Sequence, residues 1–310
     1  MKEIKKVLIC GLGAIGAIFA HKISIIDNNN LKILVDENRL EKYQQQPKKF
    51  NGESLNLNYI LPKNTDFKAD LIIIATKFNA INEVVQNIEN FVDENTIIMS
   101  LLNGITSEEI IAQKYGWKNI PLTYFLGHSE FEQNNIIYDG QGTVVFGTKN
   151  NNTDSKILKI IETYFKKTNI NYSIPEDMLY SYWLKFLLNV STNQPSAILN
   201  STFEQMTSNK SYMIMIENIM KEVQSIAKAE GVKNTENMIP QAMNALKMLT
   251  PNGKTSMLQD VEAKRVTEVE MFAGTMIELG KKYNIPTPYN LVIRDFIESI
   301  QGNYKFLLSR

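Results

Sequence analysis

Short apolar runs and polar stretches alternate through the first half of the chain. "KVLIC", "LKILV", "DLIIIAT", "TIIMSL", "PLTYFL" and "TVVFGT" are separated over much of that length by helical or polar segments. Runs of this length and composition, spaced by helix-sized intervals, predict βαβ units that build a mostly parallel sheet. A polar turn, "KNNNTDSK" at 149–156, leads into "ILKIIETYFKK" with helical spacing, and "NINYSI" predicts a last edge strand. Beyond it the period changes. Ser173 and Glu176 form an S-x-x-E capping box, with Pro175 and Asp177 in the first turn, and predict a helix running to about residue 200. A second long helix is expected over 210–230, where Met213, Ile216, Met220, Val223 and Ala227 recur near helical spacing and Gly231 is the stop signal. The methionines read as core filler. No strand is expected after the boundary, placed near residue 174.

At 310 residues the chain is long enough for two domains. With 44% hydrophobic residues, 21% charged and zero formal net charge, nothing points to disorder, a nucleic-acid footprint or an anionic membrane surface. A small molecule is the expected partner. The N-terminal apolar run is broken at once by glycine and reads as a strand rather than a signal peptide, and no run approaches the roughly 20 residues of a membrane span. The expected location is the cytoplasm. The single cysteine, Cys10, lies inside an apolar strand and reads as a packed thiol. His21 and His128 are the only histidines, and with no ligand grouping around them no metal site is expected; His21 reads as a helix-surface residue.

The first strand runs directly into Gly11-Leu12-Gly13-Ala14-Ile15-Gly16 and then into a helical stretch, the order a dinucleotide-binding turn requires. In that reading Gly11 permits the tight turn, Gly13 lets the backbone approach a pyrophosphate, and Gly16 lets helix and strand pack closely. The fold class that follows is an α/β N-terminal Rossmann-like domain over 1–174, mostly parallel and doubly wound, then an all-α domain over 175–310. Asp36 closes the second strand, twenty positions after Gly16, where an acidic side chain accepts hydrogen bonds from an adenosine ribose; this favours NAD over NADP. Arg39, one helical turn later, can face a 2′-phosphate, and Asp36 can equally be a helix cap. Lys77 and Asn103 follow the carboxyl ends of two further strands, the edge where ligands of open α/β sheets sit. A solvated loop lysine and an ordinary Asn-Gly turn are the plainer readings.

In "WLKFLLNVSTNQ", Lys185, Asn189 and Asn193 interrupt an apolar helix at intervals of four. Four residues rotate by about 400°, so the three share one face. Left unpaired in a core, such groups cost roughly 1–3 kcal/mol each, so they face a satisfied network or a wet cleft. The cleft reading gives them chemistry. A ketone that accepts hydride becomes an alkoxide, which Lys185 can protonate while the two amides hold the substrate. Farther on, Ser256 and Glu268 stand in "TSMLQDVEAKRVTE". Ser256 with Gln259 makes a capping box, and an unbroken helix would put Ser256 and Glu268 about 18 Å apart, so either the helix bends or the two do different jobs. Glu268, close to Glu270, can also be a solvated-face residue.

Together "GLGAIG", the "ATK" of Lys77, the "LLNG" of Asn103, "GTVVFG", the Lys185-Asn189-Asn193 row and "TSMLQDVEAKRVTE" resemble the ketopantoate reductase (2-dehydropantoate 2-reductase) family over nearly the whole chain. The resemblance implies an oxidoreductase that reduces 2-dehydropantoate to (R)-pantoate in pantothenate and coenzyme A synthesis. It implies Lys185 as proton donor, Asn189, Asn193 and Ser256 on the 2-oxo acid, and Asn103 beside the nicotinamide. Lys77 would contact the cofactor, and Glu268 would help hold cofactor and substrate. It further implies an active site in a cleft between the domains, NADP(H) as cofactor, and a monomer or homodimer. Two features depart from the family: Asp36 stands where a basic residue often accompanies NADP, so NAD(H) stays open, and Phe203 aligns with an Asn that some members use on the substrate. A reductase of a different 2-oxo acid and a non-catalytic dinucleotide-binding sensor remain the alternatives.

Overall fold

The computed structural model describes residues 3–127, 129–132 and 134–308. The chain divides into two compact units, Met1–Asn103 with Ser107–Leu179, and Gly104–Thr106 with Tyr180–Arg310.

The first unit is built on a five-stranded parallel sheet, in the order Tyr59–Ile60, Leu31–Leu34, Val7–Cys10, Leu71–Ile74, Ile97–Ser100. The central strand shows why its run is continuously apolar. Val7 and Ile9 point into one core with Ala17, Phe19 and Ile23 of helix Ala14–Asp27 and Leu158, Ile161 and Phe165 of helix Lys156–Lys167. Leu8 and Cys10 point into the other, with Ile81, Val84 and Val85 of helix Ile81–Asn87 and Ile111 of helix Ser107–Tyr115. A strand with helices on both faces has no polar side, which is the doubly wound arrangement expected. A three-stranded sheet completes the α/β pattern: Thr143–Gly147 runs antiparallel to Leu122–Leu126 and parallel to the edge strand Tyr172–Ser173. The structure adds a small four-stranded sheet of Glu53–Ser54, Lys49–Phe50, Asn135–Ile137 and Glu130–Glu132, whose two- and three-residue strands are too short to carry a periodic signal.

The predicted capping box does not form. Ser173 is held in a strand opposite Val145, so it cannot cap, and the helix begins at Met178. Asn151 reaches the helix start from a distant turn: its Oδ1 accepts the N–H of Met178 (2.9 Å) and its Nδ2 donates to Asp177 (2.9 Å). The helix then runs through Leu199 with Pro195 inside it.

Among its described residues the regular elements of the second unit are all helical. Helix Lys210–Ala229 starts on Asn209, whose side chain accepts the Tyr212 N–H, and Gly231 follows its end with φ +85. Helices Met238–Leu246, Thr275–Tyr283 and Pro288–Leu308 all pack on it. Ile216, Met220, Val223 and Ala227 are fully buried there, so the methionine at 220 is core as expected. Among the described residues no helix is long and apolar enough to cross a membrane.

Candidate active site

In the first unit the glycine turn is shaped by contacts that exclude side chains. Gly11 has φ +97, and a Cβ there would lie 2.6 Å from the Ala75 carbonyl oxygen; at Gly16 it would collide with the Gly11 carbonyl. Gly13 has nothing within 4 Å of its Cβ position. It stands at the N-cap of helix Ala14–Asp27, where no side chain caps the helix and no acid lies in the first turn. Leu12 is buried, and Ala14 and Ile15 pack against the same core, so this stretch turns backbone rather than side chains outward. An open glycine before an uncapped helix N-terminus fits a pyrophosphate, because free N–H groups and the helix dipole favour an anion by roughly 0.3–2 kcal/mol.

Asp36 is a helix cap in fact. Its Oδ1 accepts the Arg39 N–H at 2.7 Å, and its Oδ2 pairs with the Arg39 guanidinium at 3.0 Å. Arg39 is therefore drawn onto Asp36, in an exposed ion pair. Lys77 is exposed and opens the short 3-10 turn Phe78–Ala80 directly beyond strand Leu71–Ile74; the methyl of Thr76, its neighbour, lies against Gly11. Asn103 is half-buried. The following Gly104, which belongs to the second unit, has φ +87, and a Cβ there would sit 2.6 Å from Cγ of Met271 in the same unit.

In the second unit the polar row lies on helix Met178–Leu199. Asn189 and Asn193 are each 7% exposed, and Asn193 reaches Asn189 Oδ1 with its Nδ2 at 3.5 Å. Asn193 Oδ1 accepts the Ser256 hydroxyl at 3.0 Å and the Met257 N–H at 3.4 Å, which fixes its amide nitrogen as the donating end. Lys185 makes no hydrogen bond or ion pair among the described residues, and burial pushes its pKa down to about 8, although part of its side chain remains accessible. The row is thus half network and half solitary cation.

Ser256 does not cap its helix. Thr255 does, accepting the Leu258 N–H at 3.2 Å and bonding Ser196 at 2.6 Å, while Ser196 donates to the Asn193 carbonyl at 2.8 Å. Two neighbouring hydroxyl residues competed for one cap, and the contact with Ser196 selects Thr255; Ser256 is left exposed with its hydroxyl on Asn193. The straight-helix separation to Glu268 does not apply either. Helix Ser256–Glu262 stops after seven residues, Lys264 adopts φ +52, and Arg265 closes back on Asp260 through its backbone N–H (2.8 Å) and its Nε (2.7 Å). Glu268 is half-buried at the entrance to a π-helical turn, Glu270–Gly274, whereas Glu270 is exposed and paired with Arg294 at 2.8 Å, so the two acids are not one solvated face. Sequence reasoning missed Thr255 and also Gln194, which is fully buried and accepts the Ala273 N–H at 3.1 Å.

Cys10 is 1% exposed with its thiol pushed up by burial, which suits a packed residue. His21 is more than a surface residue: it is half-buried and stacked on Phe50 at 4.2 Å. His128 lies outside the described residues. Among the described residues no three His, Cys, Asp or Glu side chains are grouped to hold a metal ion.

These features define a dinucleotide-binding α/β unit followed by a helical unit with a polar, lysine-bearing helix. Family models agree: residues 7–151 match "Ketopantoate reductase PanE/ApbA" and residues 177–301 match its C-terminal counterpart. The chain belongs to the ketopantoate reductase family, and is an oxidoreductase of the nicotinamide-dependent kind. It is 26% identical over 300 residues to 2-dehydropantoate 2-reductase of Streptococcus pyogenes serotype M6, covering 94% of this chain and 97% of the relative. Its fold is similar to a ternary structure of D-mandelate dehydrogenase with NADH and anilino(oxo)acetate, with a TM-score of 0.86 at 21% identity, 97% of this chain and 99% of that one. It is also similar to a dimeric ketopantoate reductase from Staphylococcus aureus, with a TM-score of 0.76 at 18% identity, 97% of this chain and all of that one.

Proposed function

We propose that the chain reduces 2-dehydropantoate to (R)-pantoate, a step of pantothenate and coenzyme A synthesis, with Lys185 as the proton donor. The observation that carries this reading is the solitary ammonium of Lys185 on the face it shares with Asn189 and Asn193. A partnerless, partly buried cation is costly in a helix that needs only to pack. It is explained if an anionic, carbonyl-bearing ligand completes it. The depressed pKa, about 8, makes Lys185 a stronger acid than a free lysine while leaving it protonated at neutral pH.

A reduced nicotinamide supplies the hydride when bound. The backbone of Gly11, Leu12, Gly13, Ala14, Ile15 and Gly16 would hold its pyrophosphate, with Asp36 at the ribose, Lys77 on a phosphate, Asn103 beside the ring, and Glu268 shared between cofactor and substrate. Lys185 donates its proton to the carbonyl oxygen as that oxygen gains negative charge. Asn193, already oriented by Ser256 and Met257, offers the 2-oxo acid the amide N–H that it does not give to Asn189; Asn189, whose NH2 donates to no described group, offers both of its own, and Ser256 a hydroxyl.

We read NADH as the better-fitting cofactor, although the family resemblance favours NADPH. A 2′-phosphate would meet the Asp36 carboxylate, and Arg39 would have to leave that carboxylate to receive it. Asp36→Ser should therefore shift preference toward NADPH, by roughly tenfold in the ratio of kcat/KM values if one charge contact of about 1.4 kcal/mol is exchanged. A different 2-oxo acid is the second reading, supported by Phe203, which packs on Gly253 two residues before Thr255. Following NADH and NADPH oxidation with 2-dehydropantoate and a panel of 2-oxo acids tests both readings. Turnover of 2-dehydropantoate above all others is the expected result; turnover of none rejects the reductase.

A further inference from the structure

Gln194 belongs to the polar-row helix but not to the row, and its side chain is spent elsewhere. We propose that Gln194 is a positioning residue: it holds the π-helical turn that follows Glu268, and so sets where Glu268 stands in the reaction. The proposal rests on the reductase reading above.

In the turn Glu270–Gly274 the helical ladder is out of step, and a backbone amide that leaves an α-helical ladder must find another acceptor. The Met271 and Phe272 amides donate to the Glu268 carbonyl at 3.0 and 3.3 Å. The next, Ala273, donates to Gln194 Oε1 at 3.1 Å. A side-chain carbonyl from a residue 79 positions away thus stands in for backbone. Gln194 Nε2 is tied in turn to the Val190 carbonyl (3.0 Å) and to Asn290 Oδ1 (3.3 Å). Asn290, fully buried, gives its Nδ2 to Glu222 Oε2 at 2.8 Å. Glu222 also accepts the N–H groups of Tyr289 and Asn290, in the opening turn of helix Pro288–Leu308.

Each donor in this chain faces an acceptor, so Gln194 cannot turn without leaving a buried group unsatisfied. One end is anchored in the helix carrying Lys185, Asn189 and Asn193, and the other at the turn entered by Glu268. The Phe186 and Phe272 rings, 6.3 Å apart, bind the same two segments through apolar contact. That second tie matters for the alternative, in which Gln194 is merely a satisfied core residue. Packing already joins the segments; the amide bond to Ala273 adds register.

The test compares the parent chain with Gln194→Met, close in size but without an acceptor, and with Gln194→Glu. Turnover of the 2-oxo acid, cofactor affinity and hydrogen exchange at the Ala273 amide are measured. For Gln194→Met we expect faster exchange at Ala273 and a kcat lowered roughly ten- to a hundred-fold as Glu268 loses its register, with cofactor affinity lowered less because Glu268 is one cofactor contact among several. In Gln194→Glu, Asn290 Oδ1, the Val190 carbonyl and, behind Asn290, the Glu222 carboxylate all oppose a negative charge. Its neutral acid offers a C=O to Ala273 and an O–H to Asn290, so its turnover relative to the parent should rise as pH falls. Unchanged kcat in Gln194→Met, or a lowered kcat with exchange at Ala273 unchanged, overturns the proposal. Should Gln194→Met fail to fold, the glutamate variant decides, and a flat pH response overturns it. If the parent reduces no 2-oxo acid the reductase reading has failed and the positioning role falls with it; the exchange rates then report separately whether the tie exists.

Discussion

The turn at Gly11–Gly16 presents backbone, whereas helix Met178–Leu199 presents polar side chains, and the two regions fail in opposite ways. At the turn, function and stability coincide. Gly11 and Gly16 carry no Cβ because the Ala75 and Gly11 carbonyls leave no room for one, and the same closeness that packs strand against helix leaves Gly13 open at a helix N-terminus. On the polar helix they conflict. Lys185 stands part-buried without a partner among the described residues, where an apolar side chain of its length would pack at no electrostatic cost.

That contrast is broken most forcefully at Lys185. Lys185→Met should lower turnover roughly 100- to 10,000-fold, the range for a positioned proton donor. Cofactor affinity should hold, and stability should rise by roughly 1–3 kcal/mol at neutral pH, because the folded state no longer carries a desolvated ammonium. Calorimetry and steady-state kinetics on one preparation check both halves; a destabilised Lys185→Met would show that the lysine is held by the fold rather than tolerated by it. The linkage has a definite sign. Lys185 has a lower pKa folded than unfolded, so between about pH 8 and its ordinary value near 10.5 the unfolded chain binds more protons and stability rises with pH. The parent should gain stability on Lys185→Met across that window.

Gly11→Val probes the other side, and here both properties should fall together. A β-branched residue at φ +97, with its Cβ against the Ala75 carbonyl, should cost about 2–4 kcal/mol and abolish measurable cofactor binding, read by denaturant melts and nucleotide fluorescence. The smallest effect is expected at Thr255→Val. Losing the cap on Leu258 and the bond to Ser196 should cost about 1–2 kcal/mol in stability and raise KM for the oxo acid more than it lowers kcat, since Ser256 stays in place but its helix loosens.

The two regions also differ in how far they could be read from sequence. The glycine turn is local: strand, turn and helix are adjacent in the chain, and every spacing that matters lies within six residues of "GLGAIG". The row of Lys185, Asn189 and Asn193 was legible for the same reason, since intervals of four on a helix fix a shared face. Tertiary choices were not legible. Asn151 reaches the helix start at Met178 from a turn 27 residues earlier in sequence, and Ser173 was removed from contention by pairing with Val145. Thr255 and Ser256 are chemically near-equivalent caps, and only Ser196, 59 positions from Thr255, distinguishes them. The π-helical turn after Glu268 leaves no pattern at all, because the acceptor for its displaced amide is Gln194, far upstream.

The most direct test of the central claim is the pH dependence of kcat/KM for the 2-oxo acid. If the solitary Lys185 ammonium delivers the proton, activity should be level at neutral pH and fall roughly tenfold per unit above its pKa, which burial holds near 8. A profile that stays level to about pH 10 would contradict a proton delivered by Lys185.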